Sequence, residues 1–327
     1  MSAASEVDST WFDVLVRSAT KETPEVLLLE LAPLAGEFPP FEPGAHIAIA
    51  CGNEQVRHYS LCGPLDCRGS YQIAVKLDPS GRGGSQWIWE HAKVGSALRI
   101  SSPRDNFPLV YGKPRYLFIS GGIGVTPVMT MLDRLRELNV NARLVHMCRS
   151  PEELAFHEHL RSFESVHDIH VHIDALASGL YDIQAELERS APDTEVYCCG
   201  PAPMMEAVRA FAQASGRAAH YHFEFFAGPS QSELVQGHAP SFVVVQNSTG
   251  REIPVREDQT MLAALREAGL RVQSECEYGV CGWCATGVVS GEPQHLDSYL
   301  TDAERSAKNI VLPCVSRCTG GKLVLDL

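Results

Sequence analysis

The chain has 327 residues, of which 45% are hydrophobic and 20% are charged. This composition is ordinary for a globular protein and argues against disorder over any large part. The length suits two or three domains of roughly 100 residues each. With 27 basic and 40 acidic residues the formal charge is -13, which argues against nucleic acid as a partner because phosphate binding needs clustered lysine and arginine.

The opening residues, MSAASEVDST, lack the basic and apolar segments of a signal peptide. No apolar run approaches the roughly 18 residues that a membrane span needs. We therefore expect a cytoplasmic protein with no membrane partner, and we expect a monomer. Eleven cysteines in that compartment point to metal binding and not to disulfides.

From Thr10 to about Pro103 the sequence is typical of short strands separated by Pro and Gly. These features predict an antiparallel barrel or sandwich, interrupted by one helix from Ser85 to His91. The predicted strands are FDVLVRS, EVLLLEL, HIAIA, HYSLC, YQIAVKL and ALRIS.

After Lys113 strands and helices alternate, which predicts an open parallel α/β sheet ending near Phe226. The predicted strands are YLFIS, ARLVHMC, IHVHID and EVYCC. The predicted helices are Pro127 to Leu138, Pro151 to Phe163, one near Gln184, and Pro203 to Ala214.

The last part of the chain predicts a small α+β domain of 88 residues, 240–327. It contains a hairpin (FVVVQNSTGREIPV), a helix (TMLAALREAG), a Cys-rich loop and the closing strands NIVLP and KLVLDL. A polar stretch without periodicity precedes it and is typical of a linker. The predicted domains are therefore 1–112, 113–228 and 240–327, with a linker at 229–239.

The strongest chemical signal is the cysteine pattern Cys276, Cys281, Cys284 and Cys314. Four, two and 29 residues separate successive cysteines, as in the plant-type [2Fe-2S] ferredoxin pattern. A loop with Gly279 can wrap three thiolates around a cluster, and the fourth must come from a remote strand. Zinc is an alternative, although zinc sites usually show two Cys-x2-Cys pairs. Cys318 is an alternative fourth ligand.

A second signal is SGGIGVTP, Ser120 to Pro127, between an apolar strand and a helix. Its glycines allow close approach of a pyrophosphate, and Thr126 can cap the helix. The spacing differs from G-x-G-x-x-G, and no acidic residue closes the next strand, so a tight turn without a ligand is the alternative.

A second turn, CCGP at Cys198 to Pro201, also follows a strand and precedes a helix. Two such turns at the carboxyl edge of a parallel sheet form the crevice where nucleotides bind. Cys199 would then lie near the nicotinamide. The alternative is that Cys199 is a small buried residue at a strand end.

The third signal is Arg57, His58, Tyr59 and Ser60, together with GRGGS at Gly81 to Ser85. An arginine for phosphate, an aromatic ring and a hydroxyl form a set that suits a flavin. The GRGGS turn opens a helix whose N-H groups can hold a phosphate. The alternative is an ordinary strand with a solvated Arg57.

The histidines carry no catalytic or metal signal. His157 and His159 cannot share a helix face. The pairs His170/His172 and His220/His222 each share a strand face, but we interpret them as surface or packing residues because they lack acidic or Cys companions.

Taken together, RHYS, GRGGS, GGIGVTP, CCGP and the cysteine pattern resemble the phthalate dioxygenase reductase family, which includes vanillate demethylase and carnitine monooxygenase reductases. The resemblance covers essentially the whole chain. It implies an FMN-binding β-barrel, an NAD-binding α/β domain and a β-grasp [2Fe-2S] ferredoxin domain, in that order. Trp283 is bulkier than the residue usual in the family and would shield the cluster or contribute to a docking surface.

The resemblance also implies residue roles. Ser60, Thr126 and Cys199 would lie at the reacting rings, and Phe225 and Phe226 would lie where the chain passes the flavin. The implied flavin contacts are Arg57, His58, Tyr59, Ser60, Val75, Lys76, Gly83, Gly84 and Ser85. The implied nucleotide contacts are Gly121, Gly122, Ile123, Gly124, Thr126, Pro127, Cys199, Gly200 and Pro201.

The function implied is reduction of a separate, usually Rieske-type, oxygenase by NADH through FMN and the cluster. Arg149 and Ser150 leave NADPH open as the donor, because they could accommodate a 2'-phosphate. One alternative is a reductase for another acceptor, such as a di-iron monooxygenase or a carrier. Another is a redox-sensing module that holds the cofactors without turnover.

Overall fold

The computed structural model describes residues 11–52, 55–81, 83–177, 179–226, 240–274, 277, 279, 282–297, 299–300 and 302–327. The chain divides into two compact units, Met1–Phe226 and Ala227–Leu327. The predicted linker at 229–239 lies outside the described residues. None of the helices in the described ranges has the length and apolar character that a membrane crossing requires.

The first part of unit one is an antiparallel sheet of six strands in the order β4-β3-β6-β1-β2-β5. An isolated bridge between Leu61 and Ile73 joins the two outer strands and closes the barrel. Apolar side chains at alternate positions of the strands fill the interior of the barrel, and those of Leu29, Ile47 and Ile100 are fully buried. The elements are β1 (Trp11–Thr23), β2 (Val26–Pro33), β3 (His46–Cys51), β4 (Gln55–Ser60), β5 (Tyr71–Lys76), α1 (Gly84–His91) and β6 (Ala97–Ser101).

The second part of unit one is a parallel sheet of five strands in the order β11-β10-β7-β8-β9. The strands are β7 (Tyr116–Gly121), β8 (Arg143–Cys148), β9 (Asp168–Ile173), β10 (Glu195–Cys199) and β11 (Tyr221–Glu224). The helices are α2 (Thr126–Glu137), α3 (His157–Ser162), α4 (Ile183–Arg189) and α5 (Ala202–Ala214). The strand order reverses between β7 and β10, so their carboxyl ends form the switch point where α/β folds bind ligands.

The barrel and the parallel sheet share one apolar core, which explains why they form a single unit. Val26 and Ala74 of the barrel pack in the same cluster as Phe118 and Met131. Buried hydrogen bonds also cross the junction, since the Gly44 amide donates to Thr130 Oγ1 over 3.1 Å.

The second unit is a mixed five-stranded sheet in the order β13-β12-β16-β14-β15, with a helix packed on it. Strand β12 runs parallel to β16, and the other pairings are antiparallel. The elements are β12 (Phe242–Gln246), β13 (Glu252–Val255), α6 (Met261–Glu267), β14 (Thr286–Gln294), α7 (Asp302–Ala307), β15 (Ile310–Val311) and β16 (Arg317–Leu325).

The predicted barrel strands, parallel sheet and hairpin are confirmed, and three details differ. The single helix predicted from Pro151 to Phe163 is wrong: a 3-10 turn at Pro151–Glu153 precedes α3. The break lies at Phe156, whose φ is 61° and whose ring is buried in the shared core. Strands β11 and β14 were not predicted.

Candidate functional site

Arg57 of β4 lies against the amino terminus of α1. A Cβ atom on Gly84 would lie 2.4 Å from Arg57 Nε, so with the arginine in this position glycine leaves room for it at the start of the helix. The helix follows Gly83, whose φ is 85°, and no described side chain caps it. The Ser85 hydroxyl oxygen accepts from the Asp78 amide over 3.0 Å, which fixes the turn. A guanidinium beside uncapped helix N-H groups fits a phosphate.

The four residues of RHYS do not share one surface. Side chains alternate along a strand, so Arg57 and Tyr59 face one side of β4 and His58 and Ser60 face the other. Tyr59 packs against the barrel core, whereas the His58 ring lies 5.1 Å from that of buried His46. The motif therefore offers two faces to a ligand at the end of β4.

Val75 and Lys76 occupy the end of β5. The Val75 side chain is buried in the barrel core, and its carbonyl accepts from Trp89 Nε1 over 3.0 Å. Lys76 Nζ lies 3.6 Å from Glu25 and 4.0 Å from Glu153. Lys76 thus lies between a carboxylate of the barrel, Glu25, and a carboxylate of the parallel-sheet part, Glu153.

The two glycine turns predicted to bind a nucleotide are in direct contact. Ser120 of β7 is in register with Cys199 of β10. A Cβ on Gly124 would lie 2.3 Å from the Cys199 carbonyl oxygen, and one on Gly121 would lie 2.6 Å from Pro201 Cδ. A Cβ on Gly200 would approach the Gly121 amide within 2.9 Å. These turns can meet only because they lack side chains.

Gly122 differs from the other glycines of the first turn. Its φ is 53° and a Cβ there would meet nothing within 4 Å. The turn thus leaves open space at the carboxyl edge of the sheet, above the amino terminus of α2. This arrangement fits a pyrophosphate.

The predicted capping role of Thr126 is wrong. Residues Gly122–Val125 form a 3-10 turn that runs directly into α2, so Thr126 is already the first helical residue. Its buried hydroxyl donates to the Ile123 carbonyl over 3.0 Å. Pro127 occupies the first turn of the helix, as expected.

Ser60 connects the barrel to the parallel sheet. Its hydroxyl donates to Glu224 Oε2 over 3.2 Å, although the two residues are 164 positions apart. Glu224 ends β11 and is in register with Cys199. Burial raises the pKa of Glu224 to about 8, and the charge of Asp105 adds to this, while the bond from Ser60 opposes it. The environment of this carboxyl group therefore favours its protonated form.

Cys199 is fully buried, and burial raises the pKa of its thiol well above the ordinary range. It lies between the Gly124 turn and Glu224, at the point where both candidate sites converge. Phe225, the residue after Glu224, stacks with Phe223, with 6.2 Å between the ring centroids. Phe226 is 43% exposed.

In the second unit Cys284 and Cys314 lie side by side. Their sulfurs are 3.2 Å apart, and both residues are buried in one small cluster. Cys318 packs in the other core of this unit, and its thiol donates to the Lys322 carbonyl. This supports Cys314 over Cys318 as the partner of Cys284. Cys276 and Cys281 lie outside the described residues.

The cysteine loop depends on glycine at two positions. Gly279 and Gly282 have φ values of 73° and 75°, which favour glycine. A Cβ on Gly279 would meet Val315 Cγ2 at 2.6 Å, and one on Gly282 would meet the Tyr299 ring at 2.2 Å. The close approach of Gly279 to Val315, the residue after Cys314, together with the adjacent thiols of Cys284 and Cys314, fits an iron-sulfur cluster.

Two buried polar groupings were not predicted. His146 Nδ1 lies 2.9 Å from Ser120 Oγ beneath the first glycine turn, and burial lowers the pKa of His146 to about 4. The interpretation of His220 and His222 as lacking an acidic companion is wrong, because both contact Glu195, at 2.9 and 2.7 Å. Glu195 lies on the neighbouring strand, 25 residues away from His220, so the sequence carried no local signal.

Two parts of the chain match known protein families. Residues 118–210 match the oxidoreductase NAD-binding domain, and residues 244–319 match the 2Fe-2S iron-sulfur cluster binding domain. The vanillate O-demethylase oxidoreductase of Pseudomonas putida is 37% identical over 96% of this chain and 99% of its own length. The phthalate dioxygenase reductase of Burkholderia cepacia is 36% identical over 95% of this chain and 96% of its own length. The chain belongs to the phthalate dioxygenase reductase family.

A solved phthalate dioxygenase reductase, described as a modular structure for electron transfer from pyridine nucleotides to [2Fe-2S], superimposes with a TM-score of 0.70 at 34% identity, covering 97% of this chain and 98% of the other. Some relatives are longer. The chain spans 53% of the P. putida oxidoreductase NdmD, and 41% of an intact self-sufficient cytochrome P450 monooxygenase that matches with a TM-score of 0.81 at 33% identity. This reductase is thus an NAD-linked oxidoreductase with a [2Fe-2S] domain.

Proposed function

We propose that the chain takes two electrons from NADH through FMN and passes them singly through its [2Fe-2S] cluster to a Rieske-type oxygenase, as a monomer. In this proposal residues 1–112 bind FMN, residues 113–228 bind NADH and residues 240–327 carry the cluster. Residues 229–239 link the last two. The proposal extends what the family membership gives, an NAD-linked reductase of an oxygenase system.

The hydrogen bond from Ser60 to Glu224 carries this proposal. Hydride transfer requires the nicotinamide and the flavin to lie in contact. Ser60 ends β4, the barrel strand that also carries Arg57. Glu224 ends β11 of the parallel sheet, in register with Cys199. Because the two side chains meet over 3.2 Å, the proposed flavin site and the proposed nicotinamide site open onto the same point.

The chain's own residues position the reactants and hold a proton. Bound flavin would accept a hydride and release its electrons one at a time, which suits a one-electron cluster. Arg57 and the start of α1 would hold the phosphate of FMN, and the two glycine turns would hold the pyrophosphate of NADH. Glu224, whose raised pKa favours the protonated form, would keep a proton within reach of the Ser60 hydroxyl.

NADH is favoured over NADPH by the end of β8. A 2'-phosphate would need cationic side chains there, and Arg149 is one. Two of the next three residues after Ser150 are acidic, however, and the hydroxyl of Ser150 hydrogen-bonds Glu152, which lowers the pKa of that carboxyl group. The negative charges of Glu152 and Glu153 would repel a 2'-phosphate.

A haem monooxygenase is the second candidate acceptor. It is favoured by the match of 97% of this chain to part of a self-sufficient cytochrome P450 monooxygenase. In that case the cluster would deliver electrons to a haem and not to a Rieske centre.

Cofactor analysis and reconstitution test the proposal. The purified protein should contain FMN, iron and acid-labile sulfide, and should reduce cytochrome c with NADH. Phthalate dioxygenase and the vanillate O-demethylase oxygenase should then turn over with this chain as their reductase, whereas a P450 haem domain should not. Zinc without labile sulfide, or FAD in place of FMN, would contradict the cofactor assignment.

A further inference from the structure

We propose that Trp87 makes the flavin site specific for FMN, because its indole closes the space beyond the phosphate that the AMP half of FAD would need. The inference rests on the proposed function, which places the flavin phosphate at Arg57 and the start of α1. It adds the residue that decides which class of flavin, mononucleotide or dinucleotide, the site accepts.

The direction of β4 fixes where a longer flavin would extend. Ser60 ends the strand at the proposed reacting ring, and Arg57 lies three residues earlier, roughly 10 Å away along an extended strand. A group attached to the far side of the phosphate would therefore point past Arg57 toward Gln55, where the strand begins. Gln55 is in register with Cys51 at the end of β3.

The Trp87 indole occupies this end of the strand pair. A Cβ atom on Gly52, the residue after Cys51, would lie 2.5 Å from Trp87 Nε1, 3.1 Å from Cδ1 and 3.2 Å from Cε2. The five-membered ring of the indole therefore rests on the Gly52 backbone. The Trp87 amide donates to the Gly83 carbonyl over 2.9 Å in the first turn of α1. The helix that begins at the proposed phosphate position thus also carries the indole.

Contacts within the barrel part hold the indole in this position. The His91 ring stacks on it, with 4.5 Å between the ring centroids and 11° between the planes. His91 Nδ1 lies 2.8 Å from the Trp87 carbonyl oxygen, and the indole also packs against the barrel core. A ligand that displaced this side chain would have to replace these contacts out of its own binding energy.

Hydrogen bonds join the end of the strand pair to the start of α1. Arg57 donates to the Gln55 side-chain oxygen over 2.9 Å and to the Val56 carbonyl over 2.8 Å. The Cys51 thiol donates to the Gly84 carbonyl over 3.9 Å. The guanidinium, the helix start and the strand end that the indole covers therefore lie together around the proposed phosphate position.

A terminal phosphate suits this enclosure better than a pyrophosphate. The phosphate of FMN is a monoester with a charge of about -1.5 to -2 at neutral pH, and one guanidinium with the amides of a helix start can bind it. FAD continues from this position through a second phosphate to adenosine, and both would have to pass through the space that Trp87 fills. The indole therefore admits the shorter flavin and excludes the longer one.

The test measures the Kd for FMN and the Kd for FAD on the full-length chain freed of flavin, by quenching of flavin fluorescence. Wild type should bind FMN more tightly than FAD by roughly tenfold or more. Trp87→Ala should lower the Kd for FAD roughly tenfold or more and should leave the Kd for FMN within about threefold. Trp11→Ala, which removes an indole from β1 of the same barrel, should change each Kd by less than about twofold.

Two outcomes would overturn the inference alone. One is an unchanged Kd for FAD in a Trp87→Ala protein that still binds FMN. The other is weaker FAD binding in that variant, which would make the indole a platform on which adenine stacks. If Trp87→Ala does not fold, judged by thermal unfolding, Trp87→Leu takes its place and is read in the same way, with an expected fall in the Kd for FAD of roughly threefold or more. Wild-type protein that binds FAD more tightly than FMN, or binds neither flavin, would overturn the proposed function, and this inference with it.

Discussion

Two alanine substitutions in one glycine turn should differ in whether they mainly weaken stability or mainly weaken nucleotide binding. Gly124→Ala would place a methyl group 2.3 Å from the Cys199 carbonyl oxygen and 2.6 Å from its carbon. Because both atoms are backbone, the turns must separate by about 1 Å, at a cost of roughly 2 kcal/mol in the free energy of unfolding. Gly122→Ala meets nothing within 4 Å, so its cost is the left-handed backbone alone, about 1 kcal/mol.

NADH binding, in contrast, should be weakened more in Gly122→Ala than in Gly124→Ala. The Gly122 methyl group would project into the open space where we propose the pyrophosphate binds, and should raise the Kd for NADH roughly tenfold or more. The midpoint temperature of thermal unfolding of the nucleotide-free protein should drop by roughly 4 to 8 °C in Gly124→Ala and by less in Gly122→Ala. Equal losses of stability, or wild-type NADH affinity in Gly122→Ala, would refute this account of the turn.

Replacing Arg57 by Ala should weaken FMN binding by roughly 1.5 to 3 kcal/mol, measured by flavin fluorescence, whereas Arg99→Ala on the same barrel should not. Cys281→Ser should abolish electron transfer to an oxygenase while NADH still bleaches the flavin in stopped-flow absorbance. Cys318→Ser should keep the cluster signal in EPR. Glu224→Gln should flatten the pH dependence of stability: burial raises the pKa of this carboxyl from 4.5 to about 8. Its contribution is therefore full below pH 4.5 and is lost as the pH rises through 8. Thermal unfolding of flavin-free protein between about pH 5 and 9 measures this.

Each of these expectations has an outcome that contradicts it. Undiminished flavin content in Arg57→Ala would remove the phosphate role of this arginine. Unchanged transfer in Cys281→Ser would refute the ligand role of Cys281. Cluster loss in Cys318→Ser would shift the fourth-ligand assignment toward Cys318. A parallel loss of stability with pH in wild type and Glu224→Gln would show that another group titrates.

Elements that depend on local sequence patterns could be predicted from the sequence, whereas elements that depend on long-range contacts could not. The barrel strands and the parallel sheet were predictable because alternation of apolar residues and Gly/Pro breaks are local signals. Strands β11 and β14 were missed because their sequences, YHFE and TGVVSGEPQ, are too polar or Gly-rich to show a clear period. The break at Phe156 was also missed, since burial of its ring in the shared core overrides the helical pattern.

The sequence by itself determined which residues can do chemistry. These are the spaced cysteines, the residues of the two glycine turns, and Arg57 with Ser60 three positions later. Only the tertiary structure decided which of them meet. It brought Ser60 to Glu224 over 164 positions, paired Cys284 with Cys314 and not Cys318, and placed Tyr299 on Gly282. Such contacts depend on strand order and core packing, which arise from the whole chain and leave no local pattern in the sequence.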